Sequence, residues 1–213
     1  RKAEGEENSN AECMVLHLIT RSDGKKFGKS EDGALFLDES LTSPYKLYQF
    51  FLNSTDEDAI HYTKVFTFVP REEIYELENE HLANLGKRVA QKRLAYEVTA
   101  IVHGKEKADE AVAMSRVLFT GEYSSLKENQ IVELFNNKMI EVDNELKLED
   151  LLINTQLCKS KREARELING NSITINGVKF NSVDKIITRD DCLYNKYLVI
   201  KKGKKTYTLA TIK

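Results

Sequence analysis

Apolar residues recur every three or four positions from residue 41 to about residue 135, and short runs of alternation appear only beyond residue 172. Thr42-Ser43-Pro44 sets a capping hydroxyl before a first-turn proline, predicting a helix over 45–53 with Leu47 and Phe51 one turn apart. Thr55, followed by Asp56-Glu57-Asp58, starts a second helix toward Phe66, and Pro70 opens a third with Ile74 and Leu77 on one face. Ala90, Leu94, Val98 and Ile101 mark a fourth, ended by His103-Gly104, and Ala108, Ala111, Val112 and Ser115 a fifth, stopping near Gly121. Ser125-Leu126-Lys127-Glu128 reads as a capping box for a sixth, whose Ile131, Leu134 and Phe135 face inward. The acidic positions Glu72, Glu73, Glu76 and Glu80 read as the solvated face of a helix.

The flanks differ from this helical block. Residues 14–19 form an apolar run long enough for a buried strand, followed by a polar, glycine-bearing loop over 21–33 and a short apolar piece over 34–37. One strand pair cannot bury a core, so residues 1–40 are expected to lean on a partner domain. Residues 136–146 are polar and weakly patterned, as in a linker. Beyond them Leu148, Leu151 and Leu152 form one helical stripe; Ser160 and Glu163 make a capping box for a helix buried through Ala164, Leu167 and Ile168. Gly170 is expected to end that helix at positive φ. Ile173-Thr174-Ile175 then alternates as a strand, Asn176-Gly177 is a two-residue hairpin turn, and a last hairpin over 197–201 and 206–211 turns at Gly203. The expected architecture is mainly α, with a C-terminal α+β module over 147–213.

Composition adds a class and an asymmetry. Of 213 residues, 41% are hydrophobic and 31% charged, an ordinary globular balance. No window approaches the roughly 18 consecutive apolar residues of a membrane span, and the polar start shows no signal peptide. The first residue is not Met, so the chain is expected to be a processed or truncated product. Cys13, Cys158 and Cys192 are scattered, with no metal-ligand spacing, and read as reduced thiols of a cytoplasmic protein. The net charge of -2 hides a split: residues 1–143 carry 18 Lys+Arg against 26 Asp+Glu, whereas residues 144–213 carry 14 against 8. A basic end beside an acidic body points to a polyanionic partner; charge alone leaves RNA, DNA and membrane open.

Candidate chemistry concentrates in two places. Asp23-Gly24-Lys25-Lys26-Phe27-Gly28-Lys29-Ser30 packs three lysines, two glycines and a hydroxyl into eight residues. Such a loop can swing ammonium groups against phosphate oxygens, although spacing alone fits a solvated basic turn as well. Gly28-Lys29-Ser30 also matches the end of a P-loop, but Asp23 stands where its first glycine belongs, and Glu31-Asp32-Gly33 follows where a helix should open. Lys26-Phe27-Gly28-Lys29-Ser30 instead resembles the KMSKS loop of class I aminoacyl-tRNA synthetases, in the form typical of bacterial tyrosyl enzymes. Gly33-Ala34-Leu35-Phe36-Leu37-Asp38 and the run Thr42-Ser43-Pro44-Tyr45-Lys46-Leu47-Tyr48-Gln49-Phe50-Phe51 continue the resemblance. It implies that Lys26, Phe27, Gly28, Lys29 and Ser30 bind ATP, taken as a substrate with Mg2+. Lys26 and Lys29 would act catalytically, stabilising charge on departing pyrophosphate while tyrosyl-adenylate forms. No protein-held metal is expected.

The second place is Lys159-Ser160-Lys161-Arg162-Glu163-Ala164-Arg165, with Gly170 and the Asn-Gly turn, which resembles the S-four-like RNA-binding fold at the C-terminus of the same family. Lys159, Lys161, Arg162 and Arg165 are expected to meet RNA phosphates, joined by Lys201 and Lys202 from the last hairpin. The resemblance implies four parts: 1–40 as the tail of a catalytic domain, 41–135 as a helical anticodon-binding domain, 136–146 as linker, and 147–213 as the RNA-binding module. It implies tRNA(Tyr) as partner, with tyrosine and ATP as substrates of the whole ligase and no role for DNA or membrane. The preceding tyrosine-binding half and its dimer interface have no counterpart here, so this polypeptide is expected to be inactive alone and monomeric, the whole enzyme a homodimer. The alternative is a free-standing RNA-binding adaptor, for which residues 1–40 would have no use.

Overall fold

A computed structural model of the protein describes residues 13–15, 18–27, 35–135, 139–203 and 206–213. They form two compact units, residues 1–103 and 104–213. The N-terminal unit is helical: α1 (Pro44–Leu52), α2 (Asp56–Phe66), α3 (Arg71–Ala83) and α4 (Val89–His103). Ser43 caps α1 by accepting from the Lys46 N–H at 3.3 Å, with Pro44 in the first turn. Thr55 caps α2 by accepting from the Asp58 N–H at 3.1 Å, and three carboxylates in that first turn suit the positive end of the helix dipole. Leu47 and Phe51 of α1 meet Ala90, Leu94 and Val98 of α4 in the core, as the periodicity predicts. Ile101, read as part of that stripe, is instead exposed.

The C-terminal unit joins two helices to the α+β module. Its elements are α5 (Lys105–Thr120), α6 (Glu128–Phe135), β1 (Met139–Val142), β2 (Leu146–Lys147), α7 (Leu148–Asn154), α8 (Lys161–Asn169), β3 (Ile173–Ile175), β4 (Val178–Lys179), β5 (Ile186–Ile187), β6 (Tyr197–Lys202) and β7 (Thr206–Ile212). Five strands make one sheet in the order β1-β7-β6-β3-β4, with β1 parallel to β7 and the other pairs antiparallel; β2 and β5 pair separately. Alternation along β6 and β7 buries both faces. Leu198, Ile200, Ala210 and Ile212 pack with Leu148, Leu151, Leu152, Ala164 and Ile168 of α7 and α8. On the other face Tyr207 stacks near Phe135 and donates to the Leu118 carbonyl at 2.9 Å, while the Tyr197 hydroxyl donates to Glu128 at 3.0 Å.

Four local expectations are corrected. Met14, Val15 and Leu18 are exposed and outside any strand; Leu16, His17 and Ala34 lie outside the described residues. Ser125 sits in a 3-10 turn and donates to the Glu122 carbonyl, so the Ser125–Glu128 capping box does not form; Gln130 caps α6 by accepting from the Lys127 N–H. Part of the stretch read as linker becomes β1, because its backbone completes the free edge of β7. Gly170 ends α8 at φ -79°, and the left-handed conformation falls one residue later, on Asn171 at φ 52°. The Asn176-Gly177 turn is as expected, both residues at positive φ, and a methyl group on Gly177 would collide with the Gly121 carbonyl.

Candidate functional site

The lysine loop grows from a small hairpin in the N-terminal unit. Phe27 donates to the Ile19 carbonyl at 3.1 Å, Arg21 to the Lys25 carbonyl at 2.8 Å, and Thr20 bridges Lys26; Gly24, at φ 78°, makes the turn. Ser22 ties the hairpin to α2: its N–H and hydroxyl reach the two Asp58 carboxylate oxygens at 2.8 and 3.2 Å. Asp58 is buried and sits in the turn that Thr55 caps, so the same carboxylate orders a helix start and holds the hairpin.

Phe27 is the second anchor. Its ring centroid lies 4.8 Å from that of Phe66, 5.0 Å from Tyr62, 5.7 Å from Phe50 and 6.0 Å from Phe51. Edge and tilted arrangements of this kind add to simple burial. Burial, reinforced by the Asp58 charge, pushes the Tyr62 hydroxyl up to about 12, which keeps it neutral. Lys25 and Lys26 stay exposed beside this socket, and among the described residues neither ammonium pairs with a carboxylate. Gly28, Lys29 and Ser30 lie outside the described residues. Among the described residues the hairpin therefore holds its ammonium groups unpaired above a fixed root.

In the C-terminal unit the candidate cations behave oppositely. Ser160 caps α8 by accepting from the Glu163 N–H at 3.3 Å, and Glu163 accepts from the Lys159 N–H at 2.9 Å. Lys161 contacts Asp150 at 2.7 Å and Glu149 at 3.3 Å; Arg165 reaches Glu149 through Nε at 2.6 Å. Arg162 pairs with Glu166 one turn on, both exposed. Lys202 donates to the Leu157 carbonyl at 2.7 Å and to Glu163 at 2.9 Å, bringing the last hairpin against the start of α8. Lys201 lies over the Tyr207 ring at 5.1 Å. Lys204 and Lys205 lie outside the described residues. Lys159, Lys161, Arg162, Arg165 and Lys202 thus gather at one end of the module, four of them leashed to acids through their side chains.

These pairings shift charges in the expected directions. The Arg165 hydrogen bond holds Glu149 below the ordinary carboxylate range, and Glu149 in turn raises Arg165. Asp150 and then Glu149 raise Lys161. Glu166 lies one turn from Arg162 on the same helix, whereas Glu149 sits among the apolar positions of α7, twelve and sixteen residues from its partners. Burial raises the Cys158 thiol and pushes Cys192 up to about 11, so neither is an activated nucleophile. Among the described residues no cluster of His, Cys, Asp or Glu could hold a metal ion, and no helix is long and apolar enough to cross a membrane.

Comparison with known proteins adds identity to this geometry. Residues 3–120 match the family described as tRNA synthetases class I (W and Y), and residues 130–210 match the tyrosine–tRNA ligase SYY-like C-terminal domain. The chain is 42% identical over 216 aligned residues to a tyrosine–tRNA ligase of Bacillus pumilus, covering 100% of this chain and 51% of that protein. A tyrosine–tRNA ligase of Staphylococcus haemolyticus is 42% identical over 202 residues, covering 94% and 48%. Among solved structures, a C-terminally truncated mitochondrial tyrosyl-tRNA synthetase of Aspergillus nidulans aligns with 42% identity and a TM-score of 0.40 over 40% of this chain and 25% of that one. The chain spans about half the length of the curated relatives it matches.

Proposed function

Because this chain belongs to the class I tRNA synthetases of the tryptophanyl and tyrosyl type, with tyrosyl relatives, we propose that it is the tRNA-facing half of a tyrosine–tRNA ligase. In the whole enzyme the tyrosine carboxylate attacks the α-phosphate of ATP, giving tyrosyl-adenylate and pyrophosphate; a hydroxyl of the terminal ribose of tRNA(Tyr) then takes the tyrosyl group and releases AMP. Lys26 and Lys29 stabilise the negative charge that builds on the departing pyrophosphate, an interaction stronger in the transition state than in the bound ground state. Phe27 fixes the root of the loop, Gly28 lets its backbone approach the nucleotide, and Ser30 binds ATP beside it. Mg2+ enters as part of the ATP complex.

The helical stretch 41–135 faces the anticodon region, and the module over 147–213 grips the anticodon stem and long variable arm. Lys159, Lys161, Arg162, Arg165, Lys201 and Lys202 supply phosphate contacts, a salt-dependent mode that reads shape more than sequence. The whole enzyme works as a cytoplasmic homodimer. One observation carries the reading: a single chain joins an exposed lysine loop, rooted by Phe27 and Ser22, to a cation-bearing α+β module. The test is direct binding of the 213-residue chain to a tRNA(Tyr) transcript and to a tRNA with a short variable arm. A preference of about 10-fold or more for tRNA(Tyr), falling steeply with salt, is expected; equal binding to both would defeat the assignment.

A further inference from the structure

Glu149 is an unusual place for a carboxylate. It lies in the first turn of α7, between the core residues Leu148 and Leu151, and is 4% exposed. Taking a charge out of water is costly, and buried ion pairs are often no better for stability than apolar residues of the same volume. Its partners, by contrast, remain about half exposed: the side chain of Arg165 at 56% and that of Lys161 at 54%. The acid is beneath and the cations are above it, at the surface.

The geometry of the three groups is specific. Arg165 donates to both carboxylate oxygens, Nε to Oε2 at 2.6 Å and Nη2 to Oε1 at 3.3 Å. Lys161 donates to the same Oε1 at 3.3 Å and to Asp150 at 2.7 Å. A guanidinium has five N–H donors and an ammonium three, so these contacts leave three on Arg165 and one on Lys161. Lys161 and Arg165 are four residues apart on α8, where like charges repel; the carboxylate below offsets that repulsion and fixes both side chains. Arg162, on the same helix, has only an exposed partner in Glu166, an arrangement that fixes little.

We propose that Glu149 is a positioning residue for RNA, its buried carboxylate holding Arg165 and Lys161 as a preset pair of cations that receives a backbone phosphate of a folded RNA. The proposal rests on the RNA-binding role of the module. Preorganisation spares the ordering cost of two long side chains when the phosphate arrives. Charge alone makes the opposite forecast, since neutralising Glu149 adds a net positive charge and should strengthen any polyanion's binding.

The experiment compares the 213-residue chain with its Glu149→Gln and Arg165→Lys variants by fluorescence anisotropy. The probes are a tRNA(Tyr) transcript and an unrelated RNA duplex of similar length, at several salt concentrations, with circular dichroism melting to follow the fold. Glu149→Gln is expected to bind the tRNA about 5- to 30-fold more weakly, on the scale of two side chains no longer preorganised, while duplex binding stays level or tightens. Its salt slope for tRNA should flatten by about one phosphate contact. Arg165→Lys keeps the charge and Glu149 but loses the fork, and should weaken tRNA binding in the same direction. Glu149→Gln binding the tRNA as tightly as the parent chain, or both RNAs weakening equally, would overturn the proposal. A parent chain that does not prefer tRNA(Tyr) over the duplex removes the RNA-binding premise itself.

Discussion

The two lysine-rich regions solve opposite problems with charge. In the N-terminal unit Lys25 and Lys26 rise from a hairpin whose root is fixed by a ring and a carboxylate, while among the described residues the ammonium groups themselves pair with no acid. In the C-terminal unit Lys161, Arg162, Arg165 and Lys202 each reach an acid on the same module. On the function proposed above, a loop that must meet a changing phosphate chain anchors its backbone and, among the described residues, leaves its cations unpaired. On the same reading, a surface that meets a rigid helical backbone can hold its cations in place beforehand, at the cost of some net field.

The strongest way to break that contrast is to remove charge from the free region. In the full-length enzyme Lys29→Ala is expected to slow adenylate formation by about 100-fold or more, the scale of losing one preorganised charge donor, with tRNA affinity unchanged. Pre-steady-state release of pyrophosphate checks the first, anisotropy the second. A variant that activates tyrosine normally but binds tRNA weakly would reverse the roles of the two regions.

A smaller effect should follow from loosening the anchor. Phe27→Ala leaves every cation in place but empties the socket between Tyr62, Phe66, Phe50 and Phe51. Because Phe27 is only partly buried, the stability loss should be about 2 kcal/mol, near half that of a fully buried phenylalanine. Adenylate formation should fall by roughly 10-fold as the loop loses its root, with misplacement near 1 Å as the upper scale. Phe27→Met, close in volume and the residue of the KMSKS consensus, should recover most of both. Equal losses in the Ala and Met variants would show that the ring itself contacts nucleotide.

Legibility in the sequence followed the same divide. Helices α1, α2 and α8 could be read from local signals, because a capping hydroxyl and its N–H lie three residues apart, and α4 from its apolar spacing. Lys26 and Phe27 were legible as a pattern, yet nothing near Phe27 announced its seat against Tyr62 and Phe66, 35 and 39 positions away. The cations of α8 were likewise visible, and their neutralisation was not. An i,i+4 partner such as Glu166 can be counted along a helix, whereas Glu149 reaches Arg165 only because α7 and α8 pack on one sheet. Edge pairing hid β1 in the same way: Met139–Val142, apolar at three of four positions but set within a polar stretch, became a strand where β7 offered it hydrogen bonds.

Acid gives the finest probe of the difference. The Arg165 bond lowers Glu149, the Lys159 N–H lowers Glu163, and the Lys127 ammonium lowers Glu110, all three in the C-terminal unit. Asp38 of the N-terminal unit is held low by Ser40, but on an exposed loop. A carboxyl lowered in the folded state contributes stability above its unfolded value, near 4.3 for Glu, and that contribution is lost as pH falls through the folded value. Titrated downward from pH 5, the C-terminal unit should therefore loosen first. Methyl NMR can follow Ile173 and Ile175 in its sheet against Ile60 and Ile74 of the helical unit, all four buried. Glu149→Gln should remove up to about one proton of uptake from the transition of the C-terminal unit and leave the other unchanged. Simultaneous loss of both sets of signals, insensitive to that substitution, would mean that the leashed cations contribute nothing to the acid response of the fold that carries them.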